Sequence, residues 1–266
     1  MNNVSNHFFT NKTIVITGGA GGLGTALIDQ LLVQGANVAA LDLNVDNLTS
    51  TNNLLPIAVD ITNKNALEQA ISQVITTFSQ IDILINNAGI THMSTFKQTS
   101  AEHFDAIMAV NFSASVSITR LCLPYLCKQQ GQIVAISSVA GYAPLYGRSA
   151  YSASKHAMEG FFQSLACEIV DDDVSVLVVC PSFVKSRPEL KANVNGGLSS
   201  PGALKKNTNG EQLSPTDAAN QIIRAVVDKK QKLYLGKVSK IAFWLNALVP
   251  NIYRKIMIKS AKEEFT

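Results

Sequence analysis

The chain has 266 residues, of which 47% are hydrophobic and 15% are charged, with a formal net charge of +3. Nearly half of the residues can enter a buried core, which excludes a disordered chain, and the length suits one α/β domain. Adjacent lysines occur only in two isolated pairs, Lys205-Lys206 and Lys229-Lys230. The modest charge therefore argues against a nucleic-acid partner.

Short apolar runs alternate with amphipathic stretches along most of the chain. The predicted strands are Thr13–Thr17, Asn37–Asp42, Leu55–Val59, Asp82–Asn86, Gln132–Ile136, Val174–Cys180 and Lys232–Leu235. The predicted helices are Leu23–Gln34, Asn65–Phe78, Glu102–Lys128, Tyr151–Val170 and Thr216–Asp228. In the third helix, Pro124 is expected to produce a kink or fraying. This alternation predicts a single doubly wound, Rossmann-type α/β domain with a parallel sheet of about seven strands.

Two segments depart from this alternation. Residues Lys191 to Leu213 are rich in Gly, Ser, Asn and Lys, and they follow a strand whose carboxyl end should face the ligand crevice. We expect a mobile substrate lid there rather than a passive surface loop. Two apolar and basic stretches, separated by Pro250, follow at Val238 to Ile258, and neither is long enough to span a bilayer. We therefore predict a dinucleotide-binding and catalytic domain at 1–236 and a helical C-terminal extension at 237–266.

The C-terminal extension has two interpretations. Its aromatic and basic residues suit a peripheral membrane anchor. They also suit packing over the active-site entrance or against another subunit, which we favour. Phe243, Trp244, Leu245 and Leu248 are too apolar to remain in water together, so we expect their burial on protein, beside the lid.

The cysteines and histidines indicate neither disulfides nor a metal site. Four cysteines, at 122, 127, 167 and 180, lie in apolar runs without zinc-ligand spacing, and the four histidines are scattered. Reduced thiols are typical of a cytoplasmic protein. The N-terminal residues contain neither a basic region nor an apolar core, so no signal peptide is predicted.

A glycine-rich turn follows the first predicted strand and reads Thr17-Gly18-x-x-x-Gly22-x-Gly24. Glycines let the backbone approach phosphates, and the next helix offers free N–H groups at its positive end. Asp42 ends the second strand, where a carboxylate accepts hydrogen bonds from adenosine ribose hydroxyls and repels a 2′-phosphate. No lysine or arginine lies beside Asp42 or within the turn. NAD is therefore predicted over NADP.

Tyr151 and Lys155 lie four residues apart in a predicted helix, so their side chains share one face. An ammonium group beside a phenol lowers the pKa of the phenol, and a tyrosine so tuned can exchange a proton with an alcohol near neutral pH. Ser138 closes an apolar run thirteen residues before Tyr151. These residues indicate acid–base chemistry behind a nucleotide-binding turn.

With Asn86-Asn87-Ala88-Gly89 and Asn111, these motifs follow the order and approximate spacing of the short-chain dehydrogenase/reductases, which the chain resembles over Lys12 to Leu235. The resemblance implies a general acid or base at Tyr151 and a lysine, Lys155, that lowers its pKa and holds the nicotinamide ribose. It also implies four catalytic residues, Asn111, Ser138, Tyr151 and Lys155. The implied cofactor contacts are Gly18, Gly22, Leu23, Gly24, Asp42, Asp60, Asn87, Ala88, Gly89, Tyr151, Lys155, Val184 and Ser186.

The resemblance implies specific roles for three of these residues, and the chain departs from the family pattern at two positions. Ser138, favoured over Ser137 by its spacing to Tyr151, would bond the substrate oxygen, and Asn111 would help to hold a proton-relay water near Lys155. Asp60 would lie against the adenine. The family commonly has Pro-Gly after the sixth strand and a threonine shortly afterwards, whereas this chain has Pro181-Ser182 and Ser186.

The sequence thus predicts an NAD-linked oxidoreductase that interconverts a secondary alcohol and a ketone on a fairly apolar substrate. One alternative is an NADP-linked carbonyl reductase of steroid, retinoid or acyl substrates. A second is a catalytically idle dinucleotide-binding sensor or scaffold. The helices Glu102–Lys128 and Tyr151–Val170 correspond to those through which members of the resembling family pair, so a homodimer or homotetramer is expected.

Overall fold

Seven strands form one parallel sheet in the computed structural model, which describes residues 7–185 and 212–265, with side chains as far as residue 260. The strands are β1 Thr13–Thr17, β2 Asn37–Asp42, β3 Leu54–Ala58, β4 Ile83–Asn86, β5 Gln132–Ile136, β6 Ser175–Pro181 and β7 Lys232–Leu235. Their order is β3-β2-β1-β4-β5-β6-β7, with every neighbouring pair parallel. The strand order reverses between β1 and β4, and ligands of open α/β sheets bind at the carboxyl ends beside such a switch point.

Helices cover both faces of this sheet. They are α1 Gly22–Val33, α2 Lys64–Phe78, α3 Ala101–Met108, α4 Ala114–Gln129, α5 Ser149–Glu168, α6 Pro215–Val227, α7 Lys237–Leu248 and α8 Pro250–Phe265. One buried apolar cluster joins the sheet to α1 and α6, and a second joins the opposite face to α2, α4 and α5. The predicted doubly wound fold with about seven parallel strands is therefore confirmed.

The central strands are buried on both faces, which explains their continuous apolar sequences. Every residue of β1, β4 and β5 is buried. The third strand, by contrast, lies at the edge of the sheet and contains Pro56. An edge strand tolerates proline because its outer side needs no donor for a further strand.

The predicted helix Glu102–Lys128 is interrupted at a different place from the one expected. A π-helical turn, Ala109–Ser113, separates α3 from α4. The helix then continues through Pro124 to Gln129, so it does not fray at the proline. The π turn instead contains Asn111, which is fully buried. Such turns inside α-helices are frequent at functional sites.

The combined helical run Ala101–Gln129 is long and apolar enough to cross a membrane. In this fold it packs against the sheet, and Ile118, Cys122 and Leu126 lie in the core beneath it. The core helix of a soluble protein can be equally long and equally apolar. Burial therefore accounts for part of the apolar sequence of this run, since 39% of its most apolar window is buried.

The C-terminal extension forms two helices, and one face of them packs on protein as expected. Ser239 Oγ donates to Cys180 O at 2.7 Å, and the Tyr142 hydroxyl donates to Ser239 O at 2.7 Å. Asn246 Nδ2 donates to Tyr142 O at 2.8 Å. Tyr253 of α8 is buried in the small apolar cluster below. The extension is thus attached to the loop that follows β5.

The expected burial of the other apolar residues of the extension was wrong in part. Phe243 and Leu245 are half-buried, but Trp244 is 61% exposed and Leu248 is 71% exposed. The helix α7 meets the domain with one side only, so residues on its opposite side remain in solvent. The predicted lid beside it, Lys191 to Leu213, lies outside the described residues except for its last two positions.

The connection between β1 and α1 depends on glycines. Gly18 has φ +66°, a conformation that disfavours other residues, and a side chain there would lie 2.9 Å from Ala88 Cα. A Cβ at Gly24 would collide with Gly18 O and lie 2.7 Å from Gly19 O. These contacts are with backbone, which cannot rotate away. The turn therefore folds tightly only with glycine at these positions.

We predict that Gly24→Ala lowers the free energy of unfolding by about 2–3 kcal/mol, because the added methyl group overpacks the turn. The matched control is Gly160→Ala in α5, where an added Cβ meets no atom within 4 Å. That change should raise stability by about 0.5–1 kcal/mol, since alanine favours a helix. Urea unfolding of both variants tests this, and equal effects of the two changes would contradict it.

Candidate active site

Two adjoining cavities open at the carboxyl ends of the strands. The larger, of about 430 Å³, is lined by the glycine turn together with Asp42 and Asp60. The smaller, of about 300 Å³, is lined by Ser138, Tyr151 and Lys155. The two cavities form one continuous crevice, because they share four lining residues, Leu23, Asn87, Gly89 and Ile90.

Hydrogen bonds between Thr17 and Asn87 join the two loops at the middle of this crevice. Thr17 Oγ1 accepts the backbone N–H groups of Asn87 at 3.1 Å and of Ala88 at 3.0 Å. In return, Asn87 Nδ2 donates to Thr17 O at 3.0 Å and to Gly18 O at 2.9 Å. The glycine turn after β1 is therefore fixed against the loop after β4.

The carboxylate of Asp42 is held in place by backbone donors. Its Oδ2 accepts the N–H of Ala20 at 3.0 Å, and its Oδ1 accepts the N–H of Leu43 at 2.8 Å. Burial raises the pKa of Asp42 above its ordinary value, and these backbone bonds act in the opposite direction. Each carboxylate oxygen has a second lone pair, so Asp42 can accept further hydrogen bonds from hydroxyl groups in the cavity.

Asp60 lies on the same side of the larger cavity. Its Oδ1 accepts both the N–H of Thr62 at 2.9 Å and the hydroxyl of Thr62 at 2.7 Å. These two bonds fix the orientation of the carboxyl group. Asp42 and Asp60 were predicted as cofactor contacts at the ends of two different strands. In the structure both residues line the larger cavity.

Tyr151 and Ser138 line the other end of the crevice together, and Ser138 acts to lower the pKa of the Tyr151 phenol. Ser138 Oγ also accepts the backbone N–H of Ala140 at 3.2 Å, which holds the serine at the start of a short 3₁₀ turn. The neighbouring Ser137 hydroxyl is buried and has no hydrogen-bond partner within residues 7–185 and 212–260. The geometry thus pairs Tyr151 with Ser138, the serine that its spacing favoured.

The predicted effect of Lys155 on the tyrosine needs a correction. Burial raises the pKa of Tyr151, and the opposing influences are the Ser138 hydrogen bond and the Arg148 guanidinium. Lys155 Nζ instead donates to Ile136 O at 2.8 Å and lies 5.8 Å from the centre of the Tyr151 ring. The phenol is therefore protonated at neutral pH in this structure, because its desolvation outweighs the nearby positive charge.

Asn111 is fully buried and does not itself line the smaller cavity, but it connects three elements next to Ile90, which does. Its Nδ2 donates to Ile90 O at 3.0 Å and to Ser154 Oγ at 2.9 Å, while its Oδ1 accepts the Ile90 N–H at 2.8 Å. A Cβ at Gly89 would lie 3.3 Å from Asn111 Oδ1 and 3.6 Å from Lys155 Nζ. Glycine at 89 therefore leaves room for the side chains of both Asn111 and Lys155 beside this loop.

A buried carboxylate that the sequence analysis missed lies one helical turn beyond Lys155. Glu159 Oε2 accepts from Lys232 Nζ at 2.7 Å, and Glu159 Oε1 accepts from Cys180 Sγ at 3.1 Å. Burial lowers the pKa of Lys155 to about 8, and the Glu159 charge is the largest opposing influence. The sequence feature that could have revealed Glu159 is its position four residues after Lys155, the same interval that separates Tyr151 from Lys155.

Of the two residues predicted after β6, the structure describes one. Val184 lines the smaller cavity and forms an isolated parallel bridge with Leu213. Ser182, which stands where the resembling family commonly has glycine, lines the same cavity. Ser186 lies outside the described residues. The described lining of the smaller cavity therefore comes mainly from α5 and from the residues at the ends of β4, β5 and β6.

Comparisons with known proteins agree with this geometry. A family model described as short chain dehydrogenase matches residues 12–195. A dehydrogenase/reductase SDR family protein 7-like protein of Anopheles gambiae is 32% identical over 267 residues, which cover 95% of this chain and 84% of that protein. This relative therefore matches nearly the whole chain.

Solved structures show the same fold at lower identity. A short chain dehydrogenase from Burkholderia cenocepacia in complex with NADP has a TM-score of 0.79 and 22% identity, covering 93% of this chain and 98% of the other. A 3-ketoacyl-(acyl-carrier-protein) reductase from Brucella melitensis complexed with NADH has a TM-score of 0.74 and 20% identity, covering 85% and 96%. These likenesses establish the fold.

The buried Lys155 predicts a pH-dependent stability in the absence of dinucleotide. Its pKa is about 8 in the fold and 10.5 ordinarily, so between these values the unfolded chain binds the additional proton. Lys155 consequently makes the protein more stable as the pH rises through that window. The free energy of unfolding of the wild type, relative to Lys155→Met, should increase from about pH 8 to about pH 10 and stay constant below it.

Urea unfolding at a series of pH values measures this difference, and other titrating groups cancel in it. The exposed Lys97 provides the matched control, since Lys97→Met removes a lysine that remains in solvent when the chain folds. The difference in the free energy of unfolding between Lys97→Met and the wild type should not change with pH. If the difference between Lys155→Met and the wild type is also independent of pH, the ammonium group of Lys155 is not desolvated in the fold and the prediction is wrong.

Proposed function

Because the chain belongs to the short-chain dehydrogenase family and is an NAD(P)-dependent oxidoreductase, we propose that it interconverts a secondary alcohol and a ketone. The observation that carries the proposal is the position of the Ser138 and Tyr151 pair in the smaller cavity. With Lys155, it lines one end of a crevice whose other end is lined by Asp42. The substrate is proposed to be fairly apolar.

The crevice has the features that a dinucleotide requires. No side chain caps the start of α1, so its first N–H groups remain available to a pyrophosphate at the glycine turn. Asp42 would accept hydrogen bonds from the adenosine ribose, and Asp60 would lie against the adenine. Lys155 would hold the nicotinamide ribose after its ammonium reorients from Ile136 O. Val184 and Ser186 are proposed to contact the nicotinamide half.

The residues around the smaller cavity would then handle the proton. The dinucleotide, when bound, supplies or accepts the hydride. Tyr151, protonated at neutral pH, can donate its proton to a carbonyl oxygen, and the phenolate can take it back from an alcohol. Ser138 would hydrogen-bond the same substrate oxygen. After its ammonium has turned from Ile136 O towards the crevice, Lys155 would stabilise the phenolate by its charge, and Asn111 would help to hold a water beside Lys155.

We propose NAD as the preferred cofactor because of the charges that line the larger cavity. Three carboxylates line it, those of Asp42, Asp46 and Asp60, and its described lining contains no lysine or arginine. A 2′-phosphate would therefore meet negative charge without a cationic partner. The similar structures hold NADP in one case and NADH in the other, so the fold accommodates both cofactors. The side chains in this cavity would decide between them.

Assembly, domain division and location also remain proposals. We propose a cytoplasmic homodimer or homotetramer that pairs through α4 and α5, on the family resemblance. The four cysteines are free thiols, two of them buried, which suits a reducing compartment. The helix α7 begins at Lys237, directly after β7, which supports a division into a catalytic domain at 1–236 and an extension at 237–266.

We predict that Asp42→Ala narrows the preference for NADH over NADPH by about 10- to 100-fold, because it removes both a ribose acceptor and a repulsive charge. Dissociation constants from nicotinamide fluorescence give this ratio. The control Asp46→Ala removes an equal charge from the same cavity and should change the ratio much less. Tighter binding of NADPH than of NADH by the wild type would contradict the assignment.

We predict that Tyr151→Phe lowers turnover by about 10²- to 10⁴-fold, because it removes the proton donor and keeps the ring. A screen of alcohols and ketones that follows nicotinamide absorbance identifies the substrate for this assay. Tyr125→Phe, which removes a phenol from α4, serves as the control. Near-normal turnover of Tyr151→Phe, with NADH still bound, would contradict the proposed proton transfer.

A further inference from the structure

The two C-terminal helices present an apolar surface to solvent, here termed the outward face. Its residues are Val238, Ile241, Trp244, Leu248, Ile252 and Ile256, and all of them are exposed. Seven of the twelve large apolar side chains that are exposed in the described structure lie between residues 238 and 258. Scattered exposed apolar residues are normal, whereas a cluster of this kind marks an interaction site.

The pattern along α7 shows that this exposure follows from the way the helix is attached. Ser239 and Ala242 are buried against the domain. Ile241, Trp244 and Leu248, at successive helical turns on the other side, are 57%, 61% and 71% exposed. A surface helix ordinarily carries polar residues on its solvent side. This helix carries apolar residues on both sides, so its outward side is suited to a second contact.

Every charged side chain of α7 and α8 as far as residue 260 is basic, while Glu263 and Glu264 follow later in the sequence of α8. Residues 237–260 contain five basic residues and no acidic residue. All five basic side chains are exposed, and neither of the two ion pairs found among the described residues involves them. Lys237 and Lys240 lie on α7, and Arg254, Lys255 and Lys259 lie on α8. An occupant of this face must therefore offer both apolar volume and negative charge.

We propose that the outward face docks on the surface of an anionic phospholipid bilayer. Apolar side chains would enter the boundary between headgroups and acyl chains while the basic residues contact anionic headgroups. Trp244 is suited to this depth, because tryptophan concentrates at membrane–water interfaces. The helices have 12 and 16 residues and are separated by Val249, so they lie on the bilayer rather than cross it.

The charge distribution favours lipid over a second copy of this chain. A twofold contact brings the same patch of both copies together, so five cations would face five cations. The described part of the outward face has no carboxylates to neutralise them. An anionic bilayer supplies the opposite charge over the whole patch.

The intrinsic fluorescence of the protein tests this directly, because Trp244 is its only tryptophan. Full-length wild-type protein is titrated with vesicles of phosphatidylcholine alone and with vesicles containing about 30% phosphatidylserine. The anionic vesicles should shift the emission to shorter wavelength, allow quenching by brominated acyl chains and carry the protein upward in flotation. The neutral vesicles should do so far less.

Variants separate the apolar and electrostatic contributions and keep the reporter. Ile241→Ser with Leu248→Ser should abolish flotation. The matched control, Val33→Ser with Val170→Ser, removes two valines that are 86% and 65% exposed elsewhere and should leave flotation unchanged. Lys237→Gln with Lys240→Gln should weaken binding to anionic vesicles by about 30-fold, since each basic residue near such a surface contributes about fivefold.

Three results would overturn the proposal. The first is the absence of binding to either vesicle, and the second is equal binding to neutral and anionic vesicles. The third comes from sedimentation of the wild type and of Ile241→Ser with Leu248→Ser. If the wild type self-associates and this variant does not, the outward face is an interface between copies of the chain. None of these readouts depends on catalysis, so the proposal can fail while the proposed enzymatic function stands.

Discussion

The hydrogen bonds between Thr17 and Asn87 hold together the carboxyl ends of the two central strands, and both cavities depend on them. Asn87 uses both of its amide hydrogens on the backbone of the glycine turn, and Thr17 Oγ1 accepts two backbone N–H groups in return. The strand order reverses between these strands, so their loops diverge and leave a crevice. Without this junction, the turn that would hold phosphates and the loop that contacts the catalytic side chains would move independently.

Behind this crevice, the fold buries charge where chemistry needs it. Lys155 is 3% exposed, and its ammonium bonds to a neutral carbonyl. Its buried counter-charge is Glu159, which is also bound to Lys232 of the edge strand β7. The desolvated lysine has a pKa of about 8, close enough to neutrality to respond to its surroundings. The reactive end of the site therefore depends on a strand at the far edge of the sheet.

Local patterns in the sequence predicted the strands, the glycine turn and the spacing of Tyr151 and Lys155, because these depend on near neighbours along the chain. Three features were missed because they depend on distant contacts. The partner of Glu159 lies 73 residues away, and burial raises the pKa of Tyr151 where the sequence predicted that the nearby lysine would lower it. The exposure of Trp244 follows from which side of α7 meets Tyr142, which helical periodicity alone leaves open.

The crystal structure of the protein with NAD would test the central claim most directly, namely that one dinucleotide extends from Asp42 to Tyr151. The account predicts adenosine ribose hydroxyls within about 3 Å of the Asp42 carboxylate, and nicotinamide ribose hydroxyls within about 3 Å of Lys155 Nζ. A dinucleotide bound in the reverse direction would contradict it. So would a complex in which Lys155 still donates to Ile136 O and makes no contact with the cofactor.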